Sequence, residues 1–291
     1  LIKDEKELQK LKVKQTVSDI KDKDGTFDYS KIEIPKYNFE KIYKPETLNK
    51  QIITNIKAKD VFPFINLQML IGKHLGLKWI VGKMLEKQDP RTVKMYNEIK
   101  EIIEHGDEYF DITAIYKYFP VRRKNGKEKN EFSLEILSDD LTEVIETFNF
   151  PRQKYGQYLS LNDYVNPDGI DYVGFFVVTA GEKSRIVSNE LKAKGEFYKG
   201  HLVNSIGLEL AEATSEYIHQ IMRKDVGIID KELQTEDILK ANYQGNRYSF
   251  GYPACPDLSD QKKLFKLLKP EIYGIKLTDE FMMYPEASVS A

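Results

Sequence analysis

The sequence has one cysteine, Cys255, among 291 residues. That excludes an intrachain disulfide framework and any CxxC metal or redox motif. A reducing, cytoplasmic setting is the expectation. The four histidines, His74, His105, His201 and His219, show neither HxxxH nor HExxH spacing, so no metal site is expected. Basic excess is also missing: 44 Lys and Arg stand against 46 Asp and Glu, for a net charge of -2. Nucleic-acid binding, which gathers positive charge on one face, is therefore not expected. The longest apolar run, near 174–180, is too short to cross a bilayer, so no membrane partner is expected. The opening LIKDEKELQKLK lacks the apolar core of a signal peptide. Neither GxGxxG nor GxxxxGK[ST] occurs, and TAGEKS at 179–184 fits neither phosphate-binding frame. No internal repeat or low-complexity tract is present.

What is there suits a globular domain. The chain is 41% hydrophobic and 31% charged, enough apolar material for a sizeable core. Residues 1–50 are rich in Lys, Glu and Asp and read as an N-terminal helix followed by a linker strap, with the main domain at 51–291. A helix is expected after Pro63, because proline tolerates a first helical turn. Val93, Ile99, Ile102 and Ile103 space like an amphipathic helix over 91–106. DITAIYKYFP (111–120) and EFSLEIL (131–137) alternate around Asn125-Gly126 and read as a hairpin. DYVGFFVVTA (171–180) reads as a central strand covered on both faces. A long helix is expected over 196–224, with Leu202, Ile206, Leu210, Ala213, Tyr217 and Ile221 as its buried stripe and Glu209, Glu212, Glu216 and His219 off it. TEDILKANY and DLSDQKKLFKLLKP read as two further helices. Strands and helices mix without βαβ regularity. The expected fold class is α+β, mainly an antiparallel twisted sheet flanked by helices.

The densest chemistry lies in GNRYSFGYPACPD (245–257), which packs two prolines, three aromatics, an arginine and the cysteine into one irregular stretch. Arg247 can present a guanidinium fork to a carboxylate. Gly251 permits close backbone approach to a ligand, and Tyr248, Phe250 and Tyr252 can flank a planar ring. The competing reading is a Pro/aromatic loop that plugs the core. Cys255 has no histidine nearby in sequence and reads as a small buried hydrophobe. Glu212 and Glu216 lie one helical turn apart, a pairing that is common on solvated helix faces. Asp60 reads as a helix-start acid.

YQGNRYSFGYPACPD (243–257) resembles the RxxxGYPACP signature of the activation domain of cobalamin-dependent methionine synthase. DVFPFINLQMLIGK, NDYVNPDGIDYVGFFVVTAG, LAEATSEYIHQIMRK and GIKLTDEFMMYPEASVS resemble further segments of that domain, in order from about residue 58 to the end. The sequence departs from the family at Ser249 and Phe250, where small residues and proline are common. Family chains also continue past ASVS with an aromatic that covers the ligand, so the expectation is a C-terminally short domain.

The resemblance implies a module that binds S-adenosylmethionine (AdoMet) and supports reductive methylation of cob(II)alamin, as a fragment or as a separate activation module of a methyltransferase. Carried over by motif, Arg247 would hold the AdoMet carboxylate and Asp60 its ammonium. Ser249, Gly251 and Tyr252 would contact the nucleoside, and Glu212 would stand near the site. No catalytic acid or base is expected, because the sulfonium leaves readily and cob(I)alamin is a strong nucleophile. Cobalamin would be supplied by a partner module, since DxHxxG is missing, and the electron by flavodoxin or a similar donor. The alternative is a non-catalytic docking domain for a corrinoid protein that has lost useful AdoMet binding.

Overall fold

The computed structural model describes residues 37–125, 132–153, 158–229, 237–238 and 240–291. The expected N-terminal helix, the Asn125-Gly126 turn and most of the TEDILKANY helix lie outside these residues. Residues 37–50 contain no helix or strand.

One antiparallel sheet organises the chain. Its backbone is β2 (Ile112–Asn125), which pairs with β5 (Ile170–Thr179) from Thr113↔Thr179 to Arg122↔Ile170. On the other edge of β2 two strands share its length. β1 (Gln51–Ile56) pairs with the first half, and β3 (Phe132–Leu137) pairs from Val121 onward. β4 (Val144–Phe148) extends β3, and the short β8 (Ser288–Ser290) lines the far edge of β5. β6 (Lys276–Leu277) and β7 (Met283–Tyr284) form a separate ribbon. Every pairing is antiparallel, as the α+β reading requires, and β2 with β3 is the expected hairpin.

Alternation along β2 sends its side chains into two cores. Ala114, Tyr116 and Tyr118 join Phe176 and Val178 of β5 on one face. Ile115, Phe119 and Val121 join Phe175 and Val177 on the other. Both faces are covered, which is why β5 reads as continuously apolar.

The first face carries the helices. α1 (Ala58–Val61) is followed by a 3₁₀ turn at Phe62–Phe64 and a π-helical segment at Gln68–His74. The single helix expected after Pro63 is thus replaced by broken turns. α2 (Val81–Glu86) leads to α3 (Pro90–Glu104), which Asp89 caps by accepting from the Thr92 N–H. α3 buries Thr92, Met95, Ile99, Ile102 and Ile103; Val93, expected inside, is only half-buried. α4 (Lys183–Ala193) packs on α5 (Phe197–Asp225) at two glycines. A Cβ on Gly207 would stand 2.5 Å from Ser184 Oγ, and one on Gly200 would stand 2.7 Å from the Ser188 carbonyl. α5 buries Leu202, Ile206, Leu210 and Ile218 without exposure of more than 2%. The second face is closed by α6 (Gln261–Leu268), through Leu264, Phe265 and Leu268. No helix of the described residues is long and apolar enough to cross a membrane.

Candidate functional site

The site is built where the loop at 243–257 crosses α5. Glu212, Glu216, His219 and Arg223 follow steps of four, three and four along the helix and therefore share one face. Arg247 comes to that face from the loop. Its Nε donates to Glu216 Oε1 at 3.0 Å and its Nη2 lies 2.9 Å from the same oxygen. Glu212 Oε2 is 3.5 Å from Nη2. The Tyr243 hydroxyl donates to the second Glu216 oxygen at 2.9 Å. Burial, and next the negative charge of Glu216, push the Tyr243 phenol well above its usual range, so it stays a donor.

Behind this contact lies a second layer. The Arg223 guanidinium sits 3.9 Å over the Tyr243 ring and 2.9 Å from His219 Nδ1, to which it donates. Burial drives the His219 imidazole down to about 3, with Arg223 and Arg247 adding repulsion. His219 is therefore a neutral acceptor. The folded value lies below the ordinary 6.5, so between the two the unfolded chain holds a proton that the folded chain does not. Stability is full above pH 6.5 and falls as the pH drops toward 3, by about 1.4 kcal/mol per pH unit for one proton. Urea titrations at pH 7 and pH 5 are expected to differ by about 2 kcal/mol more in the parent chain than in His219→Gln. Parallel pH dependence in the two would contradict a neutral buried His219.

The loop keeps its path through two left-handed glycines, Gly245 at φ +79° and Gly251 at φ +85°. The Gly251 N–H donates to the Cys255 carbonyl and the Cys255 N–H to the Tyr252 carbonyl, both at 2.9 Å, closing a tight turn. The Cys255 thiol donates to the Ser249 carbonyl at 2.8 Å. Burial pushes that thiol up to about 12, so it acts as a structural donor. Phe250 plugs the second core against Phe148, with ring centroids 6.1 Å apart. The two readings of the loop therefore both apply: one side chain plugs the core while Arg247 faces α5.

A cavity of about 430 Å³ opens beside Arg247. Its walls unite that cation with four carboxylates, Glu209, Glu212, Glu216 and Glu286, and with Phe64 and Asn66 from the segment after α1. Glu209, read from sequence as off the buried stripe, is only 6% exposed. It is held there by His74 Nε2 at 3.1 Å, and burial raises its carboxyl above the ordinary range. A second cavity of about 390 Å³ shares Arg247 and is lined by aromatics that include Tyr118, Phe175 and Tyr248.

The structure thus brings Arg247 and Glu212 together and adds Glu216, the stronger partner. Asp60 is exposed on α1 and lines neither cavity. Ser249, Gly251 and Tyr252 also lie outside both linings, and Gly251 and Tyr252 are exposed. Glu216, His219, Arg223 and Tyr243 were not assigned to the site from sequence. The signal that could have found the helical three is their shared face with Glu212.

Comparison with known proteins adds to this geometry. A family model described as "Vitamin B12 dependent methionine synthase, activation domain" matches residues 56–291. The methionine synthase of Mycobacterium tuberculosis is 32% identical over 192 residues, covering 61% of this chain and 16% of that protein. The methionine synthase of Mycobacterium leprae is 31% identical over 192 residues with the same coverage. The match therefore spans about a sixth of the length of these relatives. A crystal structure of the MetH reactivation domain bound to AdoHcy aligns with a TM-score of 0.76 and 25% identity, over 91% of this chain and 81% of that one.

Proposed function

Because the chain belongs to the activation-domain family of vitamin B12-dependent methionine synthases, we propose that its 51–291 domain binds AdoMet beside Arg247 and presents it to a cobalamin-bearing module. The observation that carries this reading is the pairing of one buried-edge guanidinium with several carboxylates in a single cavity. AdoMet has a matching charge pattern: a carboxylate, an ammonium and a sulfonium. Arg247 would take the carboxylate, and Glu212, whose side chain is 56% exposed, would take the ammonium. The binding of AdoHcy, the demethylated product, by the structural relative supports the same ligand class.

The expected roles of Asp60, Ser249, Gly251 and Tyr252 are retained as proposals. Asp60 stands on the helix that packs against α5, and Ser249, Gly251 and Tyr252 frame the turn next to Arg247. They would serve the exposed outer part of the ligand.

The chemistry asks little of this chain beyond placement. One electron, from flavodoxin or a similar donor, reduces cob(II)alamin to cob(I)alamin on the partner. Reduced cobalamin on that partner would supply the nucleophile for the methyl group, while the C–S electron pair would stay on the sulfur of the AdoMet held beside Arg247, leaving AdoHcy there. No proton moves, so no general acid or base is needed. Holding the methyl in line with cobalt is the contribution of the protein.

The test mixes this chain with a separately produced cobalamin module, a one-electron reductant and methyl-labelled AdoMet. The cob(II)alamin spectrum is expected to convert to that of methylcobalamin, with label on cobalt, only when all components are present. Equal conversion without this chain would sink the proposal.

A further inference from the structure

Arg247 meets the cavity with one edge already committed. A guanidinium carries five N–H donors on three nitrogens. Its Nε and Nη2 converge on a single oxygen of Glu216 at 3.0 and 2.9 Å. The other Glu216 oxygen accepts from Tyr243 at 2.9 Å. Both side chains are largely withdrawn from solvent, at 19% exposure for Arg247 and 16% for Glu216. Among the described residues Nη1 makes no hydrogen bond. Glu216 is itself braced, because the ring that donates to it is covered by Arg223.

We propose that Glu216 is a positioning residue: by fixing the Nε–Nη2 edge of Arg247, whose Nη2 also donates to Glu212 at 3.5 Å, it leaves Nη1 as the preset, uncommitted donor for the carboxylate of an amino-acid ligand. This assignment deepens the AdoMet reading and rests on it. Two physical consequences follow from the geometry. A pre-set guanidinium loses less side-chain freedom on binding than a loose one. Glu216, with both oxygens engaged, also leaves Glu212 as the carboxylate offered to a ligand ammonium. Without Glu216 the nearest anion to Nη2 is Glu212 at 3.5 Å. That long contact, already present beside Glu216, would then shorten, and the two groups meant for opposite ends of the amino acid would neutralise each other more fully.

The distinguishing probe is 5′-methylthioadenosine, which shares the nucleoside and sulfur of AdoHcy but has no amino-acid end. AdoHcy and methylthioadenosine are titrated into the parent chain, Glu216→Ala, Glu216→Gln and Tyr243→Phe. The arginine Nε–H resonances are followed by ¹⁵N–¹H correlation, with Arg247 identified by its loss in Arg247→Lys. Glu216→Ala is expected to lower AdoHcy affinity about 10- to 100-fold, to change methylthioadenosine affinity less than about twofold, and to move the Arg247 Nε–H signal into the solvent-exposed envelope. Glu216→Gln keeps one accepting oxygen and is expected to recover part of the loss. If Glu216→Ala does not fold, Glu216→Gln and Tyr243→Phe carry the test, with a loss of several-fold confined to AdoHcy.

Equal losses for both ligands would reveal general damage and overturn the assignment. So would unchanged AdoHcy affinity in a parent chain that binds it, or an Nε–H signal that ignores Glu216. Failure of the parent chain itself to bind AdoHcy would overturn the AdoMet reading and this assignment together.

Discussion

Arg247→Ala is expected to weaken AdoMet and AdoHcy binding by about 100-fold or more. Truncating one partner of a buried, hydrogen-bonded charge pair costs about 2–5 kcal/mol, and each 1.4 kcal/mol is tenfold in affinity. Here the lost group is the one arginine or lysine among the described residues of a cavity wall with four carboxylates, where His74 is taken up by Glu209, so its removal leaves a ligand carboxylate facing like charge. Arg247→Lys separates charge from shape. A lysine keeps the positive charge but cannot reproduce the planar fork, so it is expected to fall between parent and alanine. Alanine also leaves Glu216 without its guanidinium, and urea unfolding of each variant will show the accompanying loss of stability. An affinity unchanged within threefold in a well-folded Arg247→Ala chain would remove Arg247 from the site.

The second large effect is structural. Arg152 and Asp163 form a bidentate pair at 2.6 and 2.6 Å, with side chains 2% and 1% exposed. Arg152 also donates to the Tyr158 carbonyl at 2.7 Å, and Asp163 accepts from the Ser160 N–H at 3.2 Å. Asp163→Ala strands a guanidinium in the interior and is expected to cost about 3–5 kcal/mol. In a chain of this size that lowers the melting temperature by roughly 6–20 °C. The double variant Arg152→Met/Asp163→Leu removes both charges and is expected to recover most of the loss. Thermal melts of the two variants decide it. A single variant that melts within 2 °C of the parent would show that the pair is not the strut its burial indicates. AdoHcy affinity is expected to be retained at temperatures where Asp163→Ala is folded, since the pair does not line the cavity beside Arg247.

Much of this architecture was legible in the residues because local and global demands agree. The alternation in β2 and β3 and the unbroken apolar run of β5 report directly on one or two covered faces. The stripe of α5 reports its length and, through Leu202, Ile206, Leu210 and Ala213, its buried side, but Tyr217 and Ile221 are only half-buried, and Ile218, Met222 and His219 are buried toward the helix end. β8 was not legible: three residues carry no period, and their strand character comes from pairing with β5. The segment after Pro63 failed for a related reason. Its apolar residues fit a helix, but packing against α5 breaks it into 3₁₀ and π turns. Val93 was misplaced because Met95 takes the buried position in α3.

The candidate site divides in the same way. Arg247 and the two left-handed glycines stand out because arginine, glycine and proline rarely gather without a backbone or ligand reason. Glu216 did not stand out, since two glutamates one turn apart are ordinary on a solvated helix. Only the fold brings Arg247 to it from a loop that is distant in sequence. Glu209 was hidden by the same logic: its partner, His74, lies 135 positions away. Charge partners that are remote in sequence leave no local period to read.

The most direct test of the account is a calorimetric titration of AdoHcy into the parent chain at neutral pH, with Arg247→Ala alongside. The expected result is saturable one-site heat with a Kd below about 1 mM, a binding free energy beyond roughly -4 kcal/mol, and its loss in the variant. No saturable heat at millimolar AdoHcy, or superimposable isotherms for the two chains, would contradict the claim that this cavity is an AdoMet site.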